Sequence, residues 1–148
     1  MVTTLIYPII IVAGVLQALG PPMNGVLYRA LVNPWLATLV SFALVVAFFL
    51  FVAVMIPKPL PTPQAVASMP WWAPLGGIAG AFAVAAGLLF VDKIGAGPYA
   101  ALTIGANLLM SIVLDQFGLI NMPVHTVGLW RGLGAVLMIV GVALIARF

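Results

Sequence analysis

The feature that most constrains this chain is a series of five apolar stretches, each long enough to cross a bilayer as a helix. A bilayer core about 30 Å thick needs about 20 mostly apolar residues per helix. The stretches cover approximately residues 4–28, 35–56, 72–91, 97–116 and 128–146. Only 5% of the 148 residues are charged, against about 25% in a typical soluble domain. We therefore expect an all-α integral membrane protein whose single domain, residues 1–148, has five transmembrane helices.

Short segments of different composition separate these stretches. Residues 57–63 contain four prolines and predict a non-helical loop. Residues 92–95 predict a short charged turn in water, and residues 118–127 predict a second hydrated connection. The first stretch lacks a preceding Lys/Arg region, and its Gly20-Pro21-Pro22 is a poor cleavage sequence. We interpret it as a retained helix that bends at the two prolines.

The composition also excludes several classes of function. The chain has no Cys, one His and two acidic residues, so thiolate chemistry and Cys-based metal sites are absent. His125 has no second ligand at metal-site spacing, and no phosphate-binding loop motif is present. The five Lys and Arg residues are scattered and form no basic stripe for nucleic acid. We expect no enzymatic activity, no cofactor, no metal and no nucleic-acid partner.

The cations divide almost evenly between the two sides of the membrane. Lys58 and Arg131 fall on the side of the N-terminus, whereas Arg29, Lys93 and Arg147 fall on the other side. Orientation follows the Lys/Arg excess in short loops, and here that excess is one residue. One interpretation is a single orientation with a cytoplasmic C-terminus. The other is dual topology, in which copies insert both ways and pair antiparallel, forming from identical chains the inverted repeat of many transporters.

The fourth stretch carries polar residues at every fourth position. Each step of four drifts only about 40° around a helix, so they form one slanting polar stripe of Tyr99, Thr103, Asn107, Ser111 and Asp115. Polar groups inside a membrane face protein or water. One interpretation is helix–helix contact, with Thr103 and Ser111 bonded to their own helix. The other is the wall of a substrate path, for which Asn107 and Asp115 are the strongest candidates.

The first stretch carries a weaker polar stripe, made of Gln17, Pro21, Asn24 and Tyr28. Its two adjacent prolines free backbone carbonyls, which is tolerated where protein or a water-filled cavity covers them. We include Gln17 and Asn24 among the substrate-path candidates. A bent helix end at the membrane interface is the alternative interpretation.

Paired glycines predict close helix contacts. Gly76 and Gly80 form one G-x-x-x-G pair, and Gly128 and Gly132 form another. Such faces let helix backbones approach closely, either within a chain or between chains.

The charged residues near helix ends suggest one ion pair. Asp115 and Arg131 are the candidates, because both lie where the fourth and fifth stretches meet. We expect His125 to be solvated in its loop, and Asp92 to be part of a hydrated turn only.

Several segments resemble a known transporter family. Asn24-Gly25-Val26-Leu27 precedes Asn33-Pro34, and Pro70-Trp71-Trp72 opens the third stretch. Leu114-Asp115-Gln116-Phe117-Gly118 ends the fourth, and Arg131-x-x-Gly134 lies in the fifth. Over nearly its whole length the chain resembles the short five-helix branch of the drug/metabolite transporter superfamily, the YdcZ-like family. The family usually has Gly-Gln at Ala106-Asn107 and a histidine in place of Gln116, two departures that can change the substrate.

The resemblance implies a multi-pass protein of the bacterial inner membrane, acting as half of a transporter. Ten-helix relatives have two inverted halves, so the resemblance implies a dimer that moves a small solute by alternating access, without ATP hydrolysis. The chain has no visible internal repeat, so an inverted repeat needs a second chain, as a homodimer or with a related five-helix chain. A non-transporting membrane subunit or scaffold is the alternative function. Sparse charge favours a neutral or singly cationic, partly apolar solute.

Overall fold

The computed structural model describes the backbone of residues 2–148 and the side chains from residue 6 onward. This part of the chain contains helices and no strands. The helices are α1 (Val2–Leu31), α2 (Pro34–Met55), α3 (Pro63–Ala67), α4 (Leu75–Ile94), α5 (Ala96–Phe117) and α6 (Leu129–Arg147), with a 3-10 turn at Leu119–Asn121. Five of them, α1, α2, α4, α5 and α6, are long and apolar enough to cross a membrane. The prediction of an all-α protein with five candidate membrane-spanning helices is confirmed.

The chain forms two compact units, one ending at Asp92 and the other covering Lys93–Phe148. Unit 1 contains α1 to α3 and nearly all of α4, and unit 2 contains α5 and α6. The buried residues of unit 1 are small or apolar and lie on α1, α2 and α4: Gly25, Ala37, Gly87, Leu88 and Val91. Most other apolar side chains described in this unit are exposed, as expected for helices whose outer surface meets lipid.

The helix α1 continues through its prolines. Pro8, Pro21 and Pro22 all lie inside it, and a membrane helix tolerates proline where protein or a water-filled cavity covers the freed carbonyls. The connection to α2 is short. Val32 adopts a φ of +59°, and its N–H donates to the carbonyl of Tyr28 at 2.8 Å.

A local side-chain cap begins α2. The Oδ1 atom of Asn33 accepts the backbone N–H groups of Trp35 at 3.0 Å and Leu36 at 3.2 Å. Pro34 occupies the first helical position, where its missing N–H costs no helical hydrogen bond. The Asn-Pro sequence therefore sets the start of α2.

Two predicted connections are corrected by the structure. The proline-rich segment is not wholly non-helical, because Pro63 begins α3 and Thr62 caps it by accepting the N–H of Ala65 at 3.2 Å. Proline at the first position of a helix is compatible with helical geometry. The predicted charged turn at residues 92–95 is also wrong, since Asp92 lies within the last turn of α4. Gly95, with a φ of +91°, alone separates α4 from α5, because glycine adopts this conformation without a steric penalty.

Candidate functional site

The polar stripe predicted on α5 lies along one helix, but its members differ in environment. Tyr99 is buried, Thr103 and Asp115 are half-buried, and Asn107 and Ser111 are exposed. The Thr103 hydroxyl donates to the carbonyl of Tyr99 at 2.9 Å, and the Ala100 carbonyl lies 3.1 Å away. Thr103 is therefore satisfied by its own helix. Asn107 and Ser111 are therefore the stripe residues whose polar groups are exposed, and the Asn107 amide lies nearer the middle of α5.

The end of α5 is joined to α6 by an ion pair. Arg131 Nη1 lies 3.5 Å from Asp115 Oδ2, which confirms the predicted pairing of these residues. Asp115 is in the last turn of α5, and Arg131 is in the first turn of α6. The helix dipole disfavours an anion at a C-terminus and a cation at an N-terminus. Each charge therefore depends on the other for compensation.

The loop after α5 folds back onto the same helix end. The Asp115 carbonyl accepts the N–H of His125 at 2.8 Å, and Gln116 Oε1 accepts the N–H of Val127 at 2.7 Å. Gly118 ends α5 with a φ of +59°, and a Cβ there would lie 2.7 Å from Val124 Cγ2. These contacts give the Asp-Gln-Phe-Gly segment a structural role, because it fixes the loop between α5 and α6.

Unit 1 contains a second ion pair, which the sequence analysis did not predict. Arg29 Nη1 donates to Asp92 Oδ2 at 2.6 Å, and the two side chains are 60% and 41% exposed. Arg29 lies in the last turn of α1, and Asp92 in the last turn of α4. The expectation that Asp92 only belongs to a hydrated turn is therefore wrong. Its carboxylate joins two membrane-spanning helices.

Gly25 forms the surface against which Asp92 lies. A Cβ at Gly25 would be 3.3 Å from Asp92 Oδ1, 3.3 Å from Val91 Cγ1 and 3.5 Å from Asp92 Oδ2. Since Gly25 and Arg29 are four residues apart, they share one face of α1. The Arg29 guanidinium thus binds the Asp92 carboxylate, and the absence of a side chain at Gly25 leaves room for that carboxylate beside α1. Asn24, beside Gly25, is half-buried, whereas Gln17 is exposed.

The predicted glycine pairs make no close contact with another helix of their own unit. A Cβ at Gly76 or Gly80 would meet no other atom of unit 1 within 4 Å, and the same holds for Gly128 and Gly132 within unit 2. The close contact in unit 2 is at Gly105, where a Cβ would lie 3.0 Å from Val142 Cγ2 on α6. A role for the two G-x-x-x-G pairs in contacts between chains stays a prediction.

The comparison with known proteins gives a family. The family model described as "Putative inner membrane exporter, YdcZ" matches residues 5–144. The chain belongs to this family. No curated protein and no solved structure matches it.

Family membership confirms the resemblance seen in the sequence and sets the general function. A chain of the inner-membrane exporter family with five apolar helices is a multi-pass protein of the inner membrane. The family points to a transporter rather than an enzyme. No group of three or more His, Cys, Asp or Glu side chains capable of holding a metal ion occurs among the described residues.

Sequence reasoning missed Asp92 because it assigned the residue to a loop. One signal could have found the pair: Arg29 and residues 92–93 were already assigned to the same side of the membrane. The chain has only two acidic residues, and the first and third spans run in the same direction. A cation and an anion at the same ends of two parallel helices are natural candidates for pairing.

Proposed function

We propose that the chain is one half of a small-solute transporter, and that two copies pair antiparallel and work by alternating access without ATP hydrolysis. The observation that carries this proposal is the exposed amide of Asn107 in the middle of α5. An amide facing hydrocarbon without a hydrogen-bond partner is costly. The exposed face of α5 therefore needs a second polar surface or a water-filled path.

Antiparallel pairing with a second copy would supply that surface. The described part of the chain has five candidate spans, so two copies in opposite orientations would form a ten-helix assembly with an inverted repeat, the arrangement of many secondary transporters. The Lys/Arg count of two against three imposes almost no preferred orientation. The exporter description of the family supports outward movement of the solute.

The substrate path in this proposal is lined by polar groups of α5 and α1. Asn107, Ser111 and Asp115 would line it from α5, with Tyr99 and Thr103 nearer the start of that helix. Asn24 and Gln17 would contribute from α1. Sparse charge along these spans favours a singly cationic or neutral solute with an apolar part, because a highly charged solute would find too few compensating groups.

The first experiment measures assembly and orientation. The purified chain should have twice the monomer mass in detergent, and reporters at the C-terminus should give signals from both sides of the membrane. A dimer formed only with a related five-helix chain would leave the purified chain monomeric. A one-sided reporter signal would exclude the antiparallel homodimer.

The second experiment tests the path itself. Proteoliposomes containing the chain should transport ethidium, a singly charged and partly apolar fluorescent cation, faster than protein-free vesicles. Asn107→Leu should lower this rate at least about tenfold, because an amide hydrogen bond to a cationic or polar solute is lost. Asn107→Gln keeps the amide and serves as the matched control. Unchanged transport by Asn107→Leu would leave α5 with a packing role, as in a scaffold.

A further inference from the structure

The Arg29–Asp92 pair differs from an ordinary structural ion pair because the helix ends affect the stability of its two charges differently. Both residues lie in the last turn of their helices. A helix C-terminus stabilises a cation and destabilises an anion. Arg29 is therefore favourably placed even without its partner, whereas Asp92 requires a cation. A cation that binds Asp92 would therefore release Arg29 at a helix end that still favours its charge.

The Asp115–Arg131 pair provides the contrast within the same chain. There the anion lies at a helix C-terminus and the cation at a helix N-terminus, so both charges are unfavourably placed when separated. Arg131 cannot leave without a penalty of its own. The two pairs thus have the same chemistry but differ in the helix end that the arginine occupies after separation.

The geometry around Asp92 also suits a ligand with N–H donors. The carboxylate lies against the bare backbone at Gly25, with Oδ1 3.3 Å from the position of a Cβ there. Any larger side chain at position 25 would occupy this space. The Asp92 side chain is 41% exposed and the Arg29 side chain 60% exposed, so the rest of unit 1 does not enclose either group.

Further acceptors lie along the same helix. Pro21 and Pro22 lack an N–H, so the carbonyls of Gln17 and Ala18 lose the helical donor four residues later. These two carbonyls lie about 10–12 Å from Gly25 along the axis of α1, at about 1.5 Å per residue. A cation released by Asp92 toward the middle of the membrane would meet additional hydrogen-bond acceptors on α1.

We propose that Asp92 is the cation-binding carboxylate of this transporter, and that Arg29 is a tethered occupant which an organic cation with N–H donors displaces. The site already holds a guanidinium, so alkylguanidinium and primary alkylammonium ions are the ligand class. Lys93, the next residue along the chain, adds positive charge at the same helix end. Because this positive charge repels every cation, charge alone does not select the ligand. Directional hydrogen bonds from the ligand to the carboxylate select it. This inference rests on the proposed transport function, because it names the substrate class.

The test measures binding to the purified full-length protein by titration calorimetry. The probes are butylguanidinium and butylammonium, with tetramethylammonium as a cation that has no N–H. Wild type should bind both probes and not tetramethylammonium. Arg29→Gln should lower the Kd about tenfold, because the competing cation is gone, and Asp92→Asn should raise it at least about tenfold.

The decisive feature is that the two substitutions act in opposite directions. Removing either member of a structural ion pair breaks the same contact, so a purely structural role predicts that both variants bind equally or more weakly than wild type. That result, or the absence of binding in both wild type and Arg29→Gln, would overturn the inference. Arg147→Gln is the matched control, because it removes a guanidinium from the last turn of another helix, and its Kd should change less than about threefold.

Two additional measurements keep the outcome interpretable. If Arg29→Gln does not fold, Arg29→Lys keeps a cation but loses the planar guanidinium, and it should bind butylguanidinium more tightly than wild type. Helix content by far-UV circular dichroism identifies a folded variant. Binding is measured without flux, so ethidium transport without probe binding would refute this inference alone. Probe binding with the expected pattern but without transport would refute the proposed function alone.

Discussion

The contact between α5 and α6 leads to a quantitative prediction about Gly105. A Cβ at this position would lie 3.0 Å from Val142 Cγ2, and Val142 Cβ and Cγ1 would each be 3.8 Å away. The substitution Gly105→Ala places a methyl group at that point. Val142 cannot rotate away easily, because a β-branched side chain in a helix has one strongly preferred rotamer. The helices themselves must therefore move apart by a few tenths of an ångström.

Two opposing effects set the magnitude. Replacing glycine by alanine inside a helix stabilises it by up to about 1 kcal/mol. Overpacking a tight contact costs about 1–3 kcal/mol. We therefore expect Gly105→Ala to lower the free energy of unfolding by about 0–2 kcal/mol. Gly134→Ala is the matched control, since a Cβ there meets no atom within 4 Å, and it should stabilise the protein by up to about 1 kcal/mol.

The assay is reversible unfolding in mixed micelles with increasing SDS fraction, followed by far-UV circular dichroism. Comparing the two alanine variants cancels most of the helix-propensity effect and leaves the steric cost. The double variant Gly105→Ala/Val142→Ala provides a second test, because it removes both Cγ atoms that the new methyl group meets. Its stability should exceed the sum of the single effects by about 0.5–3 kcal/mol.

The reasoning fails if Gly105→Ala and Gly134→Ala stabilise the protein equally. Such a result means that the α5–α6 contact at Gly105 is looser than the structure shows. A double variant whose stability equals the sum of the single effects would lead to the same conclusion.

Two further predictions concern the loops, and both use the same unfolding assay. Asn33→Ala removes the acceptor for two N–H groups at the start of α2 and should cost about 0.5–2 kcal/mol; a smaller loss would show that water replaces the cap. Gln116→Met keeps an unbranched side chain of similar length but removes the oxygen that accepts the N–H of Val127. It should lower the free energy of unfolding by about 0.5–1.5 kcal/mol, the net contribution of one hydrogen bond. Equal stability of wild type and the Gln116→Met variant would contradict the role of this side chain in fixing the loop.

Much of the fold could be predicted because membrane insertion depends on local properties. The five spans follow from hydropathy and length, and the end of α2 follows from the proline-rich segment after it. The alignment of Asn107 and Ser111 on one side of α5 follows from the helical period alone. The Asp115–Arg131 pair was also predictable, since a short loop returns α6 to the end of α5.

The close glycine contacts were less predictable. Gly76 and Gly80 match a packing motif but lie close to no second helix within their unit. Gly25 and Gly105 lie in no such motif, yet each lies close to a neighbouring helix. The motif describes one helix surface, while contact depends on which surface the neighbouring helix covers. The ends of α4 were also hard to predict. Charged residues near a helix end are typical of a loop in water, unless a partner on another helix is known.

By itself the sequence determined that the chain is a membrane protein, how many times it can cross, and which positions on α5 share a polar face. Hydrophobicity along the chain and the period of the α-helix are sufficient for these conclusions. Only the tertiary structure decided that Asp92 belongs to α4 and pairs with Arg29, 63 residues earlier. The reason is that a charge at a helix end can be satisfied by water or by another helix. Only the packing of α1 beside α4 at Gly25 brings the guanidinium within 2.6 Å of the carboxylate.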